Sequence, residues 1–171
     1  MVKLADWLTF SRVLLTPVIA AMWLSPALAW HWVGVAVFVI AGLTDVADGR
    51  VARYLNQTSR FGAYVDPLAD KLLVLVTASV LVFDHRLAVW WMAVVVTREL
   101  AVTTLRSVLK HGVSMPARPL AKWKTLGQLF AVGAASVLSG WIPLSLLILS
   151  AVLTVWTGVE YIRDYWPHIE V

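Results

Sequence analysis

The sequence predicts an all-α fold, a polytopic membrane protein with six transmembrane helices and both termini cytoplasmic. Three observations carry that prediction. The chain of 171 residues is 60% hydrophobic and only 14% charged, with a mean hydropathy of +0.79, whereas soluble domains run nearer half apolar and a quarter charged. Its apolar residues fall into six segments, 4–25, 29–52, 62–83, 87–108, 120–139 and 142–161, each near the ~20 residues that cross a bilayer core. The basic residues divide unevenly between the loops that join them. The length suits one compact unit, and no internal repeat or low-complexity stretch appears, so residues 1–171 are expected to form a single domain.

The first segment resembles a secretory leader in ending near the small residues Ala27-Leu28-Ala29. Asp6 and Arg12 interrupt it, and further apolar spans follow directly, so it is expected to be a retained helix. Pro26 separates it from the second segment, which ends in charged residues at 53–61. The third runs to the polar break Asp84-His85-Arg86 and the fourth to the longest loop, 109–119, with Pro116 and Pro119. Gly140 and Pro143 mark the boundary between the fifth and sixth.

Placing the N-terminus, the 53–61 and 109–119 loops and the C-terminus on one side gathers the basic residues there, and the opposite loops hold only Arg86. That bias makes the basic side cytoplasmic. Trp30, Trp32, Trp90, Trp91 and Trp141 fall near the outer ends of spans and are expected to anchor at the headgroups. The net charge of +4 is explained by headgroups or phosphate substrates rather than nucleic acid, because the cations cluster beside apolar runs. With no cysteine there is no disulfide framework.

Four of the ten acidic residues lie between Asp45 and Asp70. Asp45 and Asp48 are three apart on the second segment, Asp66 and Asp70 four apart on the third. At 3.6 residues per turn each pair shares a helix face. Facing carboxylates in a membrane repel and are poorly solvated unless cations lie between them. Hard divalent ions such as Mg²⁺ or Mn²⁺ take several oxygen ligands, and four carboxylates suit two of them. Capping and pairing with Arg50, Arg53, Arg60 and Lys71 is the plainer alternative, sufficient for one aspartate but not for four at this spacing. Gly49 and Gly62 stand where a helix gains nothing from glycine, which suits close approach of a ligand. Ala52 extends that small-residue surface and Arg53 adds a guanidinium, a combination suited to a nucleotide diphosphate.

Asp45-x-x-Asp48-Gly49-x-x-Ala52-Arg53, eight residues, then Gly62-x-x-x-Asp66-x-x-x-Asp70 resembles the signature of the CDP-alcohol phosphotransferase family. The resemblance implies a six-helix enzyme of the cell inner (cytoplasmic) membrane, a homodimer, with its site facing the cytoplasm. It implies transfer of a substituted phosphate from a CDP-linked donor to an alcohol, with release of CMP. By the same resemblance Asp45, Asp48, Asp66 and Asp70 hold two divalent cations, Mg or Mn, and Asp70 is the general base. Asp48, Gly49, Ala52 and Arg53 bind the CDP donor, and Gly62 gives the base room.

Beyond the signature, "LADWLTFSRVLLTP", "DPLADKLL", "TRELAVTTLRS" and "AKWKTLGQ" are similar to the bacterial phosphatidylglycerophosphate synthase branch, which uses CDP-diacylglycerol and glycerol 3-phosphate. Ala5, Asp6 and Ala121 depart from that branch's usual Pro, Asn and Gly. Arg98 lies about a dozen residues into the fourth segment, where a charge is costly. Its neighbour Glu99 is not expected to pair with it, since adjacent helix residues do not face each other. Arg98, Arg106, Arg118 and Lys122 are expected to form a basket for the acceptor's phosphate, while Lys110 and Lys124 are left to headgroups and the four histidines carry no role. Other acceptors remain open: inositol phosphate, phosphatidylglycerol or serine. A divalent-metal transporter would also use intramembrane carboxylates, but nearer mid-bilayer and between repeated halves.

Overall fold

The computed structural model of the chain describes residues 4–54, 60–109 and 119–169, with side chains described at 10–44, 71–109, 120 and 123–169. The fold is all-α. Its helices are α1 (Leu4–Trp23), α2 (Leu28–Tyr54), α3 (Arg60–Phe83), α4 (Val89–Ser107), α5 (Pro119–Val137) and α6 (Trp141–Tyr165), followed by a 3-10 turn at Trp166–His168. An isolated antiparallel bridge joins Leu109 to Ile169, and the described residues contain no strand.

Local chemistry sets the ends of these helices. After α3 the chain closes a C-terminal turn in which Arg86 N–H reaches the Leu81 carbonyl at 2.9 Å. His85 occupies the left-handed position of that turn, at φ 57°, as such a cap requires. Gly140, at φ +89°, precedes α6, and only glycine takes such an angle without strain. Pro143 falls in the first turn of α6, where a missing N–H costs little.

α1 packs on α2 and α3, α5 on α2, α3 and α6, and α4 on α6 and α3. The two helices that carry the aspartates therefore share α1 and α5 as neighbours. Trp23 packs its ring 5.3 Å from Phe38 and donates to the His31 carbonyl at 3.2 Å. A Cβ at Gly34 would come within 2.5 Å of that indole, and one at Gly42 within 2.6 Å of Leu129. Both glycines hold α2 close to its neighbours.

The distribution of polarity is that of a bundle with an apolar exterior. Phe83, Ile40, Leu100, Trp123, Trp141 and Trp156 are exposed, while Thr16, Thr77, Ser150, Thr154 and Thr157 are buried. The buried hydroxyls bond back to their own helix, Thr16 to the Arg12 carbonyl at 2.8 Å and Thr154 to the Ser150 carbonyl at 2.6 Å. Among the described residues one helical stretch, Trp141–His168, is long and apolar enough to cross a membrane, and Phe10–Trp23, Leu28–Thr44 and Lys71–Phe83 are shorter apolar stretches. α4 falls outside these because Arg98 and Glu99 interrupt it.

Of the tryptophans expected at the headgroups, Trp30, Trp32, Trp90 and Trp141 are exposed. Trp91 is corrected: it is 0% exposed and its indole donates to Ser150 Oγ at 2.8 Å. Position 91 faces α6 while position 90 faces outward, a 100° turn of the helix. At the same end, the Ser136 carbonyl accepts from Arg86 Nη1 at 3.1 Å and lies 2.8 Å from His31 Nδ1. His31 Nε2 lies 2.9 Å from the Ser25 carbonyl, so this histidine ties the α1–α2 connection to α5.

Candidate active site

The aspartates sit on regular helix. α2 continues unbroken to Tyr54 and α3 is already helical from Arg60. Asp45 and Asp48 thus lie in the last turns of α2, and Asp66 and Asp70 in the early turns of α3. Residues three and four apart on a helix are neighbours at about 5–6 Å between Cβ atoms. The side chains of Asp45, Asp48, Arg53, Asp66 and Asp70, and the surroundings of Gly49, Ala52 and Gly62, lie outside the described residues.

Next to Asp70 in the chain, Lys71 enters an ionic cluster that joins three helices. Lys71 Nζ donates to Thr103 Oγ1 at 2.8 Å and lies 3.7 Å from Glu99 Oε2. Lys124 of α5 donates to Glu99 Oε1. Arg98 Nη1 reaches the same oxygen at 2.9 Å. Two expectations are corrected here. Arg98 and Glu99 do pair, because both long side chains swing toward each other although their Cβ atoms diverge. Lys124 is not a headgroup contact: it is 6% exposed and turned inward by Glu99. Gln128, one turn further along α5, donates to Thr154 Oγ1 at 2.9 Å and so fixes α5 against α6.

Two members of the expected phosphate basket, Arg98 and Arg106, lie among the described residues. Arg98 lies against α6, with its guanidinium carbon 5.7 Å from the Tyr161 ring centroid and its Cγ 3.0 Å from where a Cβ on Gly158 would stand. Its Nε is buried without an acceptor among the described residues. Arg106 is exposed in the last turn of α4, eight residues on and so about 12 Å along the axis. Arg118 and the side chain of Lys122 lie outside the described residues, as does Lys110.

From the sequence, Glu99 and Lys71 were given no part in the site, and Lys124 only a headgroup contact. The signal available was an acidic residue in the middle of an apolar span, which by itself marks a functional position.

Acidic pairs on two helices with common neighbours, beside an interior cationic cluster, form the frame of this site. The chain belongs to the CDP-alcohol phosphatidyltransferase family, whose model matches residues 2–156. It is similar to a Pseudomonas fluorescens protein named CDP-diacylglycerol–glycerol-3-phosphate 3-phosphatidyltransferase, 32% identical over 98% of this chain and 92% of that one. Proteins of the same name from Bacillus subtilis (strain 168) and Haemophilus influenzae are 35% and 32% identical. They cover 99% and 92% of this chain, and 98% and 90% of their own lengths.

Proposed function

We propose that this chain is a membrane-embedded enzyme that transfers the phosphatidyl group of CDP-diacylglycerol to glycerol 3-phosphate, giving phosphatidylglycerophosphate and CMP in phospholipid biosynthesis. The observation that carries this reading is the shared name of relatives that align over nine-tenths or more of both chains. An apolar exterior around buried hydroxyls supports placement in lipid, where helices gain little from burying apolar faces and associate through packing and hydrogen bonds. The charge bias between loops supports a site and both termini on the cytoplasmic side of the inner membrane. The working unit is a homodimer.

In the reaction the acceptor's hydroxyl oxygen bonds to the phosphatidyl phosphorus as the bridging P–O bond to CMP breaks. Asp70 takes the hydroxyl proton, and CMP leaves with the electron pair. Asp45, Asp48, Asp66 and Asp70, paired on regular helix in a chain without cysteine, fit hard oxygen-seeking cations. Two Mg²⁺ or Mn²⁺ ions, when bound there, supply charge neutralisation for the diphosphate. Asp48, Gly49, Ala52 and Arg53 receive the donor, and Gly62 leaves space beside the base. Arg98, Arg106, Arg118 and Lys122 attract the acceptor's phosphate, which a neutral acceptor would not need.

The test is purified protein with CDP-diacylglycerol, Mg²⁺ and a panel of acceptors, scoring CMP release. Glycerol 3-phosphate should be strongly preferred. Preference for inositol phosphate, phosphatidylglycerol or serine would keep the family chemistry and replace the acceptor.

A further inference from the structure

We propose that Glu99 is a positioning residue for the acceptor's phosphate, holding Lys71, Arg98 and Lys124 as one cationic cluster beside the aspartate helices. The proposal rests on the reading above, in which the acceptor carries a phosphate.

One carboxylate gathers cations from three helices: Lys71 from α3, Arg98 from its own α4 and Lys124 from α5. Three cations against one anion leave two positive charges uncompensated within the cluster. Such a surplus is costly inside an apolar bundle. A phosphate monoester, carrying about −1.5 to −2 at neutral pH, offsets it. Donors are also left over. A lysine ammonium has three and a guanidinium five, yet among the described residues Lys124 is bonded only to Glu99 and the buried Arg98 Nε finds no acceptor.

A space to receive the anion lies beside Lys71, Glu99 and Lys124, while Arg98 backs Glu99 from the α6 side. A cavity of about 180 Å³ opens between α3, α4 and α5, with Lys71, Glu99, Lys124, Thr125 and Gln128 at its polar end and Val74, Leu75 and Val95 completing its walls. Lys71 directly follows Asp70, and consecutive Cα atoms are about 3.8 Å apart. The cavity therefore opens at the level of α3 that carries the base in the proposed reaction. Glu99 acts on the phosphate through the cations it touches, Lys71, Arg98 and Lys124. It acts by fixing where the ammonium groups stand.

Steady-state CMP release by the purified full chain, with CDP-diacylglycerol and Mg²⁺ at varied glycerol 3-phosphate, gives both Michaelis constants. Glu99→Gln should raise KM for glycerol 3-phosphate roughly 10- to 150-fold, the loss of one charge-assisted contact, with donor KM much less affected. Glu99→Asp keeps the charge but draws it back by one methylene, and should give an intermediate KM. If Glu99 only balances charge, Glu99→Asp behaves as wild type and Glu99→Gln, one positive charge richer, lowers that KM. Either outcome overturns the proposal, and where Glu99→Gln does not fold, Glu99→Asp alone decides. A wild-type protein that releases CMP only with a phosphate-free acceptor removes the underlying reading as well, so the two failures are distinct.

Discussion

Gly158 of α6 offers a way to move Arg98 without removing it. A Cβ added there would stand 3.0 Å from Arg98 Cγ, 3.8 Å from Nε and 4.0 Å from Cδ. Carbon atoms rest at about 3.5–4.0 Å, so Gly158→Ala must push the arginine away by roughly half an ångström. The guanidinium is held at its far end by Glu99 at 2.9 Å and over Tyr161 at 5.7 Å. A shift of that size carries the ion pair from a well-formed contact to the edge of hydrogen-bond range. Forfeiting about 1–2 kcal/mol of a charge-assisted bond corresponds to a roughly 5- to 30-fold rise in KM for glycerol 3-phosphate. Stability should move less. Overpacking costs about 1–3 kcal/mol, and alanine recovers ~1 kcal/mol as the better helix former. Both Michaelis constants and the thermal midpoint of the purified variant check this. An unchanged glycerol 3-phosphate KM in a folded protein would refute the link between the place of Arg98 and acceptor binding.

Activity should require Mg²⁺ or Mn²⁺ and disappear with EDTA, and full turnover in chelated protein would defeat the two-cation assignment. Asp70→Asn should lower kcat by about 10²–10⁴ with donor binding weakened far less; equal losses in both would make Asp70 chiefly a cation ligand. Trp91→Phe removes the bond to Ser150 Oγ, so thermal stability should fall by about 0.5–1.5 kcal/mol with both KM values unchanged. A shift in either KM would mean that the Trp91–Ser150 contact, and not only that of Arg98 with α6, reaches into the site.

The helices were legible along the chain because what starts and stops them is local. The apolar segment 62–83 became Arg60–Phe83 and 120–139 became Pro119–Val137, each bounded by prolines, glycines or charged breaks next to it in sequence. The sixth helix outran its expected end at 161 and reached Tyr165, since the polar residues Arg163 and Asp164 are exposed or half-buried on its last turn and do not stop it. The aspartate signature was equally legible, because spacings of three and four need only helical periodicity to align.

What the tertiary structure decided is which way each side chain faces. Trp90 and Trp91 are alike in sequence, yet one is exposed and the other fully buried on Ser150. Lys124 was indistinguishable from a headgroup lysine until α3 and α4 brought Lys71, Arg98 and Glu99 to it. Composition and periodicity place a residue on its own helix. A buried charge is tolerated only beside partners from other helices, and those partners come from positions 28 and 25 residues apart in the chain, so only packing could bring them together.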